Sequence, residues 1–163
     1  MARINVLVLC TGNSARSILG EALFNQHPRF SAHSAGSQPK GEPHPVALQT
    51  LTEAGHTTAG YRSKSWDEFA AEREGAPQFD VVITVCDSAA GESCPLWHGA
   101  PVRAQWSLPD PAAAPEAERK QAFKTIYAKL NQRIDRFASL PIDTLSPAAL
   151  ARELNAIGRM DDQ

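Results

Sequence analysis

The chain has 163 residues, 42% hydrophobic and 21% charged, enough for one domain with a substantial core and too few for two. Its formal net charge of -2 excludes the general basic surface of a nucleic-acid or anionic-membrane binder, so an anionic ligand must be captured by a local site. The first apolar run, Ile4 to Leu9, is too short for a membrane span and lacks the layout of a secretory signal, which points to the cytoplasm. In that reducing compartment three cysteines, an odd number, are reactive, metal-binding or incidental, not a disulfide framework.

In chain order, residues 3–9 give a continuous strand signal, and residues 17–26 have helical spacing with Ile18, Leu19, Ala22 and Leu23 on the inner face. Residues 30–35 predict a second strand ending at Gly36, and 38–45, rich in Pro and Gly, a loop. A helix over 45–54 is closed by Gly55, and residues 65–74 have helical spacing around Trp66, Phe69 and Ala70, with Ser65 as N-cap. The β-branched run Phe79 to Val85 predicts a strand buried on both faces that delivers Cys86 at its end. Residues 87–101 form a long connection containing Gly91, Cys94, Pro95 and Gly99, a length that marks a functional or mobile loop. A fourth strand is predicted over 102–106, and a long amphipathic helix over 116–137 carries Phe123, Ile126, Tyr127, Leu130, Ile134 and Phe137. The tail, 146–158, has Ser146 as N-cap, Pro147 in the first turn and Gly158 as stop, and reads as a packing helix or a partner-docking one.

Strands alternating with helices predict an α/β fold, a three-layer sandwich around a four-stranded parallel sheet. We expect one catalytic domain over 1–163, with its core at about 3–138 and a helical extension at about 146–158. Ligands of such sheets bind beyond the carboxyl ends of the strands, which puts Cys10 and Cys86 on the same rim.

Residues Cys10 to Ser17 read CTGNSARS, with five residues between the cysteine and Arg16. A loop leaving a strand and entering a helix can curl the amides of Thr11, Gly12, Asn13, Ser14, Ala15, Arg16 and Ser17 around a tetrahedral anion, with the helix N-terminus adding positive potential. Cys10 then sits beneath the central atom, and Arg16 offers a planar fork for two anion oxygens. Ser17 can donate its hydroxyl to the Cys10 sulfur. Helix end and arginine both lower a thiol pKa, and a thiolate is the nucleophile.

This loop, the downstream Asp-Pro and the strand order resemble the low-molecular-weight protein tyrosine phosphatase superfamily, and within it the thioredoxin-coupled arsenate reductases. The likeness runs from about Arg3 to Phe137. It rests on the anion loop, on Ser34-Ala35-Gly36 after the second strand, on Cys86 and Cys94, and on Trp106-Ser107-Leu108-Pro109-Asp110-Pro111-Ala112. The resemblance implies that Cys10 attacks arsenate held by the loop and Arg16, while Asp110 protonates the leaving oxygen. Cys86 then attacks Cys10, arsenite departs, and Cys94 moves the disulfide to Cys86–Cys94 for reduction by a thioredoxin-like protein. To act as an acid, Asp110 must hold a proton near neutral pH, which a neighbouring anion in a partly desolvated site favours. By itself, Asp110 between two prolines also reads as a turn former.

From spacing alone, Cys86 and Cys94, with seven residues between them, are a redox pair or two ordinary cysteines, one buried and one in a loop. That gap exceeds the usual spacing of structural zinc ligands and only His98 stands near as a third, so no metal site is expected. Trp97 and His98 read as a packed and a solvated side chain, or as a docking surface. Some relatives steady the anion loop with potassium held by residues matching Asn13, Glu21 and Ser34, and by a Thr and an Asp in a segment that reads Arg62 to Asp67 here. Lys64 falls at or near one of those positions, so its ammonium is expected to replace the ion, and no organic cofactor is expected.

The leading reading is arsenate reduction. The alternative is a phosphatase for a small non-aromatic phosphoester, since Pro111 is followed by three alanines where the phosphatases commonly carry rings for an aryl phosphate. A module that binds arsenite without turnover leaves Asp110 unexplained. The expected partners are arsenate and a thioredoxin-like reductant, with no nucleic acid and no membrane.

Overall fold

The computed structural model describes residues 3–86, 97 and 101–160. Four parallel strands, β1 (Ile4–Cys10), β2 (Phe30–Gly36), β3 (Val81–Thr84) and β4 (Val102–Gln105), lie in the order β2-β1-β3-β4. The central β1 is buried from Val6 to Cys10, as expected for a parallel strand covered on both faces. Its register pairs Cys10 with Gly36 of β2 and Leu9 with Thr84 of β3.

The main core joins Val6 and Val8, Val81 and Ile83, and Ala104 to the apolar faces of α1 (Arg16–Gln26), α2 (Pro45–Glu53), α3 (Glu116–Ala138) and α4 (Pro147–Gly158). Helix α1 approaches β1 closely because Gly20 has no side chain; a Cβ there would stand 3.1 Å from Val8 Cγ1. On the opposite face Leu7, Leu9 and Val82 pack with Trp66, Phe69, Phe79 and Trp97.

Two sequence expectations are corrected. Residues 65–74 do not form a helix. Only a 3-10 turn, Trp66–Phe69, is present, capped by Ser65, whose hydroxyl accepts from Asp67 N. A single turn already brings Trp66 and Phe69 to the sheet, and Glu72, Arg73 and Glu74 have no apolar side chain to bury. Gly158 does not stop the last helix, which runs through it to an Arg159 cap. A Cβ at Gly158 would stand 2.2 Å from Gln105 O, so glycine is there to let α4 touch β4.

Helix α4 also covers the sheet edge. Asn155 Oδ1 accepts from Gln105 N at 2.9 Å, and Trp106 Nε1 donates to Leu154 O at 2.9 Å. No helix among the described residues is long and apolar enough to cross a membrane. The predicted connection over 87–101, with Cys94 and His98, lies outside the described residues except for Trp97 and Pro101.

Candidate active site

Beyond β1 the chain turns through Thr11–Ala15 into α1, and Asn13 makes the turn with φ 46°, a left-handed conformation that Asn tolerates better than most side chains. Its N–H donates to Cys10 Sγ at 3.2 Å. Its side chain, fully buried, donates from Nδ2 to Ser17 Oγ (2.8 Å) and Ser34 Oγ (3.0 Å) and accepts at Oδ1 from Lys64 N (2.9 Å). Because Ser17 Oγ already accepts from Asn13, its hydroxyl proton is left for Cys10 Sγ, 2.8 Å away.

The loop is held open by the segment that follows β2. Gln38 N donates to Thr11 O (2.9 Å), Lys40 N to Gly12 O (3.0 Å) and His44 N to Ser14 O (2.8 Å), and Ser63 Oγ also reaches Gly12 O at 3.0 Å. In a planar trans peptide, C=O and the next N–H point in opposite directions. With three carbonyls drawn outward, the N–H groups of Gly12, Asn13 and Ala15 face the concave side, and Asn13 N on the sulfur shows that geometry directly. Gly36 permits the close contact of β2 with the loop, since a Cβ there would stand 2.3 Å from Thr11 O.

A cavity of about 310 Å³ opens over this loop. Of the residues singled out in the sequence, Cys10, Thr11, Gly12, Ser14, Ala15, Arg16 and Asp110 line it, joined by Gln38 and Lys40, which the sequence reading passed over. Asn13 and Ser17 lie buried behind it and brace the loop. Only the backbone bonds bring Gln38 and Lys40 to the loop, so neither composition nor spacing marks them.

Arg16 donates from Nη1 to Leu108 O at 2.9 Å, its Nη2 is 3.9 Å from Asp110 Oδ2, and its Nε is buried without a hydrogen-bond partner among the described residues. Asp110 caps the 3-10 turn Pro111–Ala113, accepting from Ala112 N at 3.0 Å, with 41% of its side chain exposed. It is thus a turn former and a wall of the cavity at once.

Cys86 is buried two residues beyond β3, in the register position beside Thr11, whose Oγ1 is 3.6 Å from Cys86 Sγ. Its carbonyl accepts from Gln105 Nε2 at 3.3 Å. Cys10 and Cys86 are both free thiols. Burial pushes the Cys10 thiol above its ordinary pKa; the Ser17 hydrogen bond draws it down, negative charge on Cys86 pushes it up, and the Ser17 and Asn13 amides draw it down. The net direction is opposite to that suggested by the helix end and Arg16, because desolvation of a cysteine only 3% exposed outweighs its hydrogen bonds.

Behind the loop, Ser34 Oγ donates to Glu21 Oε1, and the buried Lys64 ammonium donates to Arg62 O (3.1 Å) and lies 3.7 Å from Glu21 Oε1. Burial lowers the Lys64 pKa, and Glu21 opposes that shift.

A strand-end cysteine, an anion loop, an arginine and an Asp-Pro wall thus meet at one cavity. The family model described as low molecular weight phosphotyrosine protein phosphatase matches residues 5–155. The chain belongs to that family. An arsenate reductase of Bacillus licheniformis is 32% identical over 142 residues, covering 85% of this chain and 97% of that one. An arsenate reductase of Shouchella clausii is 30% identical over 143 residues, with coverages of 85% and 97%. The crystal structure of arsenate reductase from Archaeoglobus fulgidus is similar with a TM-score of 0.60 and 26% identity, covering 80% of this chain and 98% of that one. In this low molecular weight phosphatase family member no aromatic ring lines the cavity among the described residues.

Proposed function

We propose that the protein reduces arsenate to arsenite by a relay of three cysteines. The observation that carries this reading is the second thiol: Cys86 stands beside the anion loop, one register position beyond Cys10 in the segment that leaves β3. Ester hydrolysis through a cysteine needs one sulfur, whereas two-electron reduction needs a second within reach. The arsenate reductases among the relatives support arsenate as the substrate.

Arsenate would sit over the loop amides with Arg16 on its oxygens, where the unpartnered Nε gains an acceptor. Cys10 passes its proton to an arsenate oxygen and attacks; a sulfur–arsenic bond forms, the bond from arsenic to that oxygen breaks, and Asp110 supplies the second proton with which it leaves as water. Cys86, as thiolate, attacks Cys10 Sγ. The Cys10–Cys86 bond forms, the sulfur–arsenic electron pair stays on arsenic, As(V) becomes As(III), and two thiols are oxidised to one disulfide. Cys94 attacks Cys86 and frees Cys10 as a thiol, and a dithiol protein of thioredoxin type reduces Cys86–Cys94 while becoming a disulfide itself.

The residues behind the loop do not suit a potassium ion, because the Lys64 ammonium already stands beside Glu21. Lys64 supplies the positive charge there.

The test is arsenate turnover with thioredoxin, thioredoxin reductase and NADPH, compared with hydrolysis of a small phosphoester. Cys10→Ser abolishes both reactions; Cys86→Ser and Cys94→Ser lower arsenate turnover by at least about 100-fold and leave any ester hydrolysis in place. Arsenate reduction at the original rate in Cys86→Ser would exclude the relay and favour the phosphatase.

A further inference from the structure

The segment from Gln38 to His44 does more than hold the loop carbonyls outward. Lys40 is tied to the loop by its own N–H on Gly12 O, and its aliphatic stem lies across Gly12. A Cβ built at Gly12 would stand 3.2 Å from Lys40 Cε, 3.3 Å from Cγ and 3.4 Å from Cδ. A stem laid along the loop in this way makes Lys40 part of the cavity wall, together with Arg16 and Asp110.

The charges there are uneven. Arg16 faces the carboxylate of Asp110 and gives one N–H to Leu108 O, so its positive charge is already shared. Lys40 forms no ion pair with any carboxylate among the described residues. His44, the other basic side chain of the segment, is held below its ordinary pKa by burial and by the Arg119 and Lys40 charges, against the opposing pull of Asp110. Its Nδ1 accepts from Val46 N, as the neutral ring requires. Arsenate near neutral pH carries up to two negative charges, and amides with one shared arginine offer only one full cation.

We propose that Lys40 is a second cationic binding residue of the oxyanion cavity, selecting tetrahedral dianions over monoanions. The proposal rests on the reading of this cavity as an oxyanion site. A Cβ at Gly12 would crowd the Lys40 stem, which would have to shift by a few tenths of an ångström.

Lys40→Met separates charge from packing, because Met keeps an apolar stem over Gly12 and removes the ammonium. Calorimetric titration of the reduced full-length protein with sulfate, phosphate and perchlorate at low, fixed ionic strength reads the effect without reference to turnover. The expected result is sulfate and phosphate binding about five-fold weaker in Lys40→Met, perchlorate binding changed less than about two-fold, and recovery in Lys40→Arg. The arsenate KM rises by a similar factor while kcat holds. Equal sulfate affinity in wild type and Lys40→Met overturns the role of Lys40 alone, and an equal loss for perchlorate overturns the charge selection. A wild-type protein that binds neither sulfate nor phosphate overturns the oxyanion-site reading, and the proposal with it.

Discussion

Cys10 Sγ is met by the Ser17 hydroxyl at 2.8 Å, the Asn13 amide at 3.2 Å and the Ser17 amide, and still titrates above an ordinary thiol because it is buried. A thiol whose pKa is raised by folding favours the protonated form in the native state. Its stabilising contribution is therefore full below the unfolded thiol value and lost as pH rises through the folded one. Iodoacetamide alkylation of Cys10 is expected to climb through an inflection above the usual thiol range. Ser17→Ala removes the strongest of the lowering contacts, moves that inflection further up and cuts kcat/KM for arsenate about 10-fold; an unmoved inflection would show that the hydroxyl does not act on the sulfur. The placing of Cys10, Arg16 and Ser17 around one loop was legible in the sequence because they lie close together along the chain, where spacing is geometry. The raised thiol was not, since burial depends on what packs over the strand end.

Helix α4 was legible as an element, with its Ser146 cap and its apolar Leu150, Leu154 and Ile157, but the purpose of its glycine was not. Gly158 lies against β4, where helix and edge strand share the Asn155 and Trp106 hydrogen bonds. Gly158→Ala must push them apart, and we expect a loss of about 2 kcal/mol, seen as a fall in Tm of about 6 °C by circular dichroism. An unchanged Tm would mean that the glycine acts only through local conformation, as the sequence pattern suggests. The segment after Ser65 failed as a helix for a related reason. Periodicity counts apolar residues, whereas the number of turns depends on how soon those residues reach the sheet, and Trp66 and Phe69 do so in one 3-10 turn.

Across the whole molecule, four segments distant in sequence converge behind the anion loop: Asn13 on the loop, Glu21 on α1, Ser34 on β2 and Lys64 in the chain leading to the 3-10 turn. Lys64 and Glu21 have side chains only 7% and 16% exposed, so removing the cation alone leaves a poorly hydrated carboxylate. Lys64→Gln is expected to cost about 3 kcal/mol and to make thermal stability and turnover respond to potassium chloride over lithium chloride at equal ionic strength. The wild-type protein should show no such preference; a clear potassium dependence of its turnover would remove Lys64 from this role. The sequence by itself determined the parallel α/β sheet, the strand-to-helix anion loop, and the placing of Cys10 and Cys86 on one rim. Each follows from side-chain periodicity or from the rule that strands of such sheets end at the ligand. Only the tertiary structure decided which groups orient the loop amides, why Gly36 and Gly158 lack side chains, and that Lys40 reaches the cavity. Those depend on backbone hydrogen bonds and close approaches between distant segments, which leave no periodic trace in the residues that make them.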